Sequence, residues 1–325
     1  MHIDFHILRI ILVSFLVVVL LGPIVIPFLK KLKVGQSIRE EGPKSHIATK
    51  SGTPTMGGII IVLGIFIATL TSGNYTKEVG ACLFAIIGFG LVGFWDDYIK
   101  VVLKRNLGFT ALQKIIVQLV FALLLSFYGA KYSIDGTKLV IPFTSIYIDL
   151  GIFYIPFTTF VILGIVNGVN LTDGLDGLNS GVTLIVMAAF ALIANSFSKL
   201  NSEYYGVVVV SSAVSGACLG FLRYNAHPAK IFMGDTGSLA LGGAVAAVSV
   251  VTSLTLVVPI IGGVYLAEVL SDIIQVSHYK RTKKRIFKMA PLHHHFEMCG
   301  WKETKIVAVF WFATVILAFI GIYSI

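Results

Sequence analysis

The sequence predicts an all-α integral membrane protein of about ten transmembrane helices, forming one polytopic domain over residues 1–325. Three observations predict it. Mean hydropathy is +0.90 with only 13% charged residues, a composition foreign to a soluble domain. Apolar runs of about 20 residues recur along the chain, the length that ~30 Å of hydrocarbon requires at helical rise. Basic residues gather in alternate loops, as they do in chains that cross a bilayer repeatedly.

The first run, 5–29, is followed by basic residues and has no small-residue cleavage site. It is expected to be a retained helix and not a signal peptide. Further spans are expected over 53–72, 79–95, 110–130, 151–169, 181–198, 203–222, 237–254, 256–279 and 304–325. Between the fourth and fifth, YSIDGTKLVIPFTSIYID (132–149) alternates and is rich in β-branched residues, which predicts a small β-hairpin outside the membrane. Cys82, Cys218 and Cys299 are scattered, with no CxxC and no disulfide framework.

With ten spans, the loops after helices 1, 3, 5, 7 and 9 share a face. Those loops and the adjoining helix ends hold 20 of the 25 basic residues. The other face holds Arg9, Lys77, Lys131, Lys138 and Lys199. The basic face is therefore expected to be cytoplasmic, with both termini extracytoplasmic. Five unusual segments fall on that face: KSGTPTMGG (50–58), GFWDDYIK (93–100), NGVNLTDGLDGLNSG (167–181), IFMGDTGS (231–238) and MAPLHHHFEMCGW (289–301). The opposite loops are short and bland apart from the hairpin. One site assembled from five loops is the expectation.

Each segment has a plain reading beside the functional one. Asp96 and Asp97 end a helix, where Lys100 four residues on could pair with them. Carboxylates nevertheless disfavour a helix C-terminus, so a cation or a proton-transfer task is expected to compensate. Asn170, Asp173 and Asp176 could form an Asx-rich helix start; their spacing would set all three on one side of a turn. The run lacks the distal Glu of a calcium EF-loop. Asp235 could simply cap the helix that follows, while Gly234 and Gly237 would let backbone approach a phosphate at a helix N-terminus. Together Asp96, Asp97, Asp173, Asp176 and Asp235 would repel one another without a cation, and hard oxygen ligands suit Mg²⁺.

Three consecutive histidines, His293, His294 and His295, cannot all face one tetrahedral metal on a helix. Imidazoles that donate hydrogen bonds to phosphate or a base fit better. KSGTPTMGG lacks the GK[ST] of a phosphate-binding P-loop. GFGLVG (88–93) matches GxGxxG but lies inside a span, where glycines serve helix packing. Glu268 and Asp272, four apart within a span, are secondary candidates.

SGTPTMGG, GFWDDYIK, NLTDGLDGL, FMGDTGS and PLHHHFE, in this order on a ten-helix chain, resemble the phospho-N-acetylmuramoyl-pentapeptide transferase (MraY) family. That family belongs to the wider polyprenyl-phosphate N-acetylhexosamine-1-phosphate transferases. The resemblance covers essentially the whole chain, with no departure at the motif acids or histidines. PLHHHFE and GTPTMGG favour this branch over enzymes that transfer GlcNAc-1-phosphate, the alternative within the class.

The resemblance implies transfer of phospho-MurNAc-pentapeptide from UDP-MurNAc-pentapeptide to undecaprenyl phosphate, giving lipid I and UMP. It implies Mg²⁺, a pair of anionic substrates, the cytoplasmic face of the bacterial inner membrane and a homodimer. No nucleic-acid partner is expected; the basic loops would instead attract the anionic substrate. By resemblance Asp235 ligates Mg²⁺, and Asp96 and Asp97 orient or deprotonate the lipid phosphate or help organise the metal. Lys114, in TALQK, neutralises phosphate, and Asn170, Asp173 and Asp176 lie near uridine and metal. His293 is the catalytic-site imidazole, with His294 and His295 beside the substrate. Lys50, Thr55, Phe232 and Gln275 match positions that contact the nucleoside.

A secondary transporter is the reading from another class. Ten spans, intramembrane Glu268 and Asp272 and many glycines would suit one. A transporter's polar residues concentrate near mid-membrane, however, whereas most here lie at one face. No inverted repeat is evident.

Overall fold

The computed structural model describes residues 5–31, 52–101, 103, 108–144 and 146–325. The chain is mostly helical, in the order α1 Phe5–Lys31, α2 Gly58–Thr71, α3 Lys77–Val101, α4 Ala111–Tyr132, then β1 Lys138–Val140 and β2 Tyr147–Asp149. There follow α5 Tyr154–Leu171, α6 Leu178–Ser198, α7 Tyr205–Asn225, α8 Gly234–Val251, α9 Gly263–Thr282, α10 Leu292–Met298 and α11 Glu303–Tyr323. Among the described residues, eight helical stretches are long and apolar enough to cross a membrane, those of α1, α3 to α8 and α11. The protein is accordingly a multi-pass membrane protein.

Two expected spans differ from their sequence reading. The second, 53–72, shortens to the 14 residues of α2. The residues before it bridge to another segment instead: Phe232 N–H donates to the Pro54 carbonyl at 2.8 Å, and Gly57 N–H to the Phe232 carbonyl at 2.9 Å. The ninth, 256–279, divides into a single turn, Val258–Ile261, and α9, with the break at Gly262. The hairpin forms within 132–149, as β1 and β2 pair antiparallel with Leu139 opposite Ile148.

Helix α8 is the axis of the bundle. It packs against α3, α5 and α2, while α7 lies between α1 and α6. In lipid the hydrophobic effect does not press helices together, so close packing of small residues must do it. The glycines of GFGLVG serve this role. A Cβ on Gly88 would meet the Phe121 ring of α4 at 2.5 Å, and one on Gly90 would touch Ala240 of α8 at 3.3 Å. By contrast α1, α4 and α11 turn Leu20, Phe127 and Phe319 outward, more than half exposed, as lipid-facing helices do.

Backbone contacts sort the loops into two ends. Val140 N–H donates to the Ser253 carbonyl and Phe143 N–H to that of Ser324, which joins the hairpin, the end of α8 and the end of α11. The five motif segments meet at the other end.

Candidate active site

At that end α3 finishes where α8 begins. Gly93, one turn before the acid pair, allows the contact: a Cβ there would lie 2.0 Å from the Asp235 carbonyl oxygen. On the other flank a Cβ on Gly58 of α2 would lie 2.1 Å from the Gly237 nitrogen. Gly234, which opens α8, adopts φ +71°, and a Cβ on it would strike the Asp97 carboxylate and the Thr55 hydroxyl. Three backbones thus converge, and carboxylate oxygens of Asp96, Asp97 and Asp235 come within 4.8 Å of one another.

The three acids have different partners. Asp97, 4% exposed, accepts from Asp235 N–H (3.1 Å), Thr236 N–H (2.9 Å) and the Thr236 hydroxyl (2.7 Å). It caps α8 from a different helix, against the positive end of the helix dipole. The capping role that the sequence allowed for Asp235 therefore belongs to Asp97. Asp97→Ala leaves those donors unpaired and is expected to cost about 2 kcal/mol. Thermal unfolding in detergent checks this, and an unchanged melting temperature would contradict the cap.

Asp96 accepts from Phe109 N–H at 2.8 Å and pairs with Lys100 at 2.5 Å, so the helical i,i+4 pairing does form. Lys100 goes further and reaches Asp235 Oδ2 at 2.8 Å. The same oxygen takes Lys114 Nζ at 3.0 Å, while Asp235 Oδ1 accepts from Asn170 Nδ2 at 2.8 Å. A capping box of Thr110 and Gln113 starts α4 one turn ahead of Lys114 and fixes where that ammonium emerges. Asn170 also accepts from Lys114 (3.3 Å) and donates to Ser238 (2.7 Å).

Three carboxylates face two ammonium groups, one formal negative charge in excess. That donor set of hard oxygens fits Mg²⁺.

Asn170, Asp173 and Asp176 do not share one side of a turn. Helix α5 stops at Leu171 with Thr172 as its C-cap, and the chain reverses before α6, so Asp176 faces elsewhere. Its Oδ2 lies 3.1 Å from His227 Nδ1 and 3.0 Å from Ala229 N, and its own N–H donates to Glu303 Oε1 at 2.7 Å. Asp176, His227 and Glu303 form a second cluster of possible metal ligands. Asp173 follows Asn170 through a backbone hydrogen bond of its N–H to the Asn170 carbonyl.

The histidines also diverge. His293 is buried with Nδ1 3.1 Å from Glu268 Oε2, and a Cβ on Gly174 would clash with its Nε2. The His294 ring lies against it, tilted by 55° at 4.1 Å between centroids, and bonds Glu297 at 2.6 Å. His295 turns away and accepts from Lys288 N–H. Gln275 is engaged with backbone, accepting from Ile286 and Phe287 N–H and donating to the Phe287 carbonyl. Thr55 is buried beside Gly234, and Phe232 is half-buried on the strand-like pairing with Pro54. Lys50 lies outside the described residues.

Sequence reasoning treated Lys100 only as a surface partner, although its i+4 spacing from Asp96 was visible. It missed His227 and Glu303, which reach Asp176 from 51 and 127 residues away and leave no local signal.

Residues 79–253 match the family described as glycosyl transferase family 4. Residues 50–62 match a phospho-N-acetylmuramoyl-pentapeptide-transferase signature. Similar curated proteins include the phospho-N-acetylmuramoyl-pentapeptide-transferase of Clostridioides difficile, 54% identical over 97% of this chain and 96% of that protein. Those of Alkaliphilus metalliredigens (97% and 96% covered) and Bacillus pumilus (96% and 96%) are each 53% identical.

Proposed function

The chain belongs to the phospho-N-acetylmuramoyl-pentapeptide-transferase family and is an enzyme; from that premise we propose its reaction in full. It transfers phospho-MurNAc-pentapeptide from UDP-MurNAc-pentapeptide to undecaprenyl phosphate, giving lipid I and UMP with Mg²⁺. It works at the cytoplasmic face of a bacterial inner membrane, with ten spans and both termini outside. The basic asymmetry of the loops supports that orientation. A homodimer is expected, and the mass of the solubilised particle checks it.

The observation that carries the reading is the set of three carboxylates and two lysines at one end of an apolar bundle. A lipid phosphate stays at the bilayer surface while a nucleotide sugar arrives from water, so their reaction needs a charged site at that boundary. Both reactants are anions; catalysis consists mainly of neutralising charge and fixing position. An oxygen of the lipid phosphate forms a bond to the sugar-bearing phosphorus, and the bond from that phosphorus to the UMP oxygen breaks.

Asp235, with Asp96 beside it, would hold Mg²⁺, which when bound supplies positive charge to the phosphates. Lys114 and Lys100 face the same oxygens and neutralise phosphate charge. Asn170 fixes the Asp235 carboxylate through Nδ2, and Asp97 fixes the helix that carries it. Asp96 is the carboxylate left to orient or deprotonate the lipid phosphate. His293 and His294 face the donor's phosphates from α10, next to the Asp173–Asp176 loop. Thr55, Phe232, Gln275 and His295 line the approach for the nucleoside and its sugar, with Lys50 preceding them in sequence.

One assay tests chemistry and sidedness together. Inside-out vesicles given UDP-MurNAc-pentapeptide, undecaprenyl phosphate and Mg²⁺ are expected to release UMP, and chelation to stop it. Right-side-out vesicles should release none. Release from UDP-GlcNAc instead would move the chain to the alternative branch, and no release from either donor would defeat the reading.

A further inference from the structure

Helix α9 carries two carboxylates that the reading above does not use, Glu268 and the part-exposed Asp272. Glu268 is fully buried, and neither of its oxygens has a hydrogen bond to protein. His293, 1% exposed, is in the same condition at both ring nitrogens. The two meet each other: Nδ1 stands 3.1 Å from Oε2, within ion-pair distance although off hydrogen-bond alignment. A buried carboxylate without a partner is costly, and the cost falls when a cation or an N–H is turned toward it. His293 is the group that the fold supplies.

The opposite edge of the ring is fixed by exclusion. His293 Nε2 lies where a Cβ of Gly174 would stand, 2.0 Å from that position. Gly174 sits between Asp173 and Asp176 in the acid loop, so the absent side chain makes room for the imidazole. His294 packs against the ring at 4.1 Å between centroids, its own Nδ1 held by Glu297. The imidazole is thereby confined by Glu268 at Nδ1, by Gly174 at Nε2 and by a second, tilted ring beside it.

We propose that Glu268 is a positioning residue, which keeps the proton of His293 on Nδ1 and aims Nε2 at the acid loop where the donor substrate binds. A carboxylate at one imidazole nitrogen sets the tautomer and leaves the other nitrogen for chemistry. Partners of this kind commonly change function by 10–100-fold when removed, without touching the reacting atoms. The inference rests on the reading that His293 contacts substrate.

The test uses full-length protein in lipid nanodiscs with ¹⁵N-labelled histidine, and His293→Gln identifies the His293 signals. In the parent protein the His293 spectrum should show a protonated Nδ1. Glu268→Leu should lose that signature and lower kcat at least about tenfold, with KM for the nucleotide donor changed less than about threefold. Glu268→Gln, whose amide oxygen still accepts from Nδ1–H, should keep the signature and recover part of kcat. An unchanged His293 spectrum in Glu268→Leu overturns the proposal, whether or not activity falls. So does a loss of the signature with kcat intact. The spectra are read without turnover, so a parent protein inactive on this donor would count against the reaction and leave the Glu268–His293 pairing decided. Should Glu268→Leu not fold, Glu268→Ala decides by the same criterion: an unchanged His293 spectrum in it overturns the proposal.

Discussion

Asp235→Asn lowers UMP release at least about a hundredfold, the scale on which removal of one charge-stabilising group acts, in protein that still folds. The substitution keeps the shape of the side chain and removes one negative charge. Three carboxylates against two ammonium groups become two against two, and the excess that attracts a divalent cation disappears. Lys100 and Lys114 both converge on Oδ2 of Asp235, so an amide there also leaves two cations facing a neutral group. Helix α8 keeps its cap, because Asp97 bonds the backbone of residues 235 and 236 and not the side chain of Asp235. Turnover and thermal unfolding, measured on the same preparation, separate the two effects. Near-normal turnover at ordinary Mg²⁺ would remove Asp235 from its role.

Gly93→Ala has the second large effect, through the backbone. The added methyl group lies 2.0 Å from a carbonyl oxygen of α8, and no side chain can move aside to admit it. Helix α3 must retreat, and with it Asp96 and Asp97. Overpacking of this kind costs about 1–3 kcal/mol, and the retreat uncaps α8 as well. Gly164→Ala on α5 is the control, since nothing stands within 4 Å of its new Cβ, and it should stay within about 0.5 kcal/mol. Full UMP release by Gly93→Ala would show that the close approach does not set the site.

The helices were legible because each long apolar run has one dominant requirement, to fill the hydrocarbon. The hairpin was legible from its alternation. The spans that moved did so for reasons outside the pattern. Pro54 and Gly57 pair with Phe232, and Gly58 with Met233, which ties the chain ahead of α2 to another segment and delays the helix until Gly58. The ninth expected span breaks at Gly262, between the single turn Val258–Ile261 and α9.

At the site, the sequence pointed to loops that the fold brings to one end but not to the partners of each acid. Asp96 and Asp97 are adjacent and chemically alike, yet one faces Lys100 and the other the start of α8. On a helix neighbouring residues point about 100° apart, so adjacency separates partners that spacing alone would pool. Asp176 shows the same limit. Its partners arrive from α11 and from the turn after α7, and only the folded chain brings them near.

The contacts of Gly93 and Gly58 with α8 also determine where the site can yield. They join main chain to main chain, so the floor formed by α2, α3 and α8 moves as one body or not at all. Residues 286–288, by contrast, are held through side chains: Gln275 bonds Ile286 and Phe287, and His295 bonds Lys288. Rotation about a few side-chain bonds displaces that segment without disturbing the acids. Under the proposed reaction, tolerance toward donors of different bulk would reside in the basic segment after α9, and fidelity of the chemistry in the glycines between α2, α3 and α8.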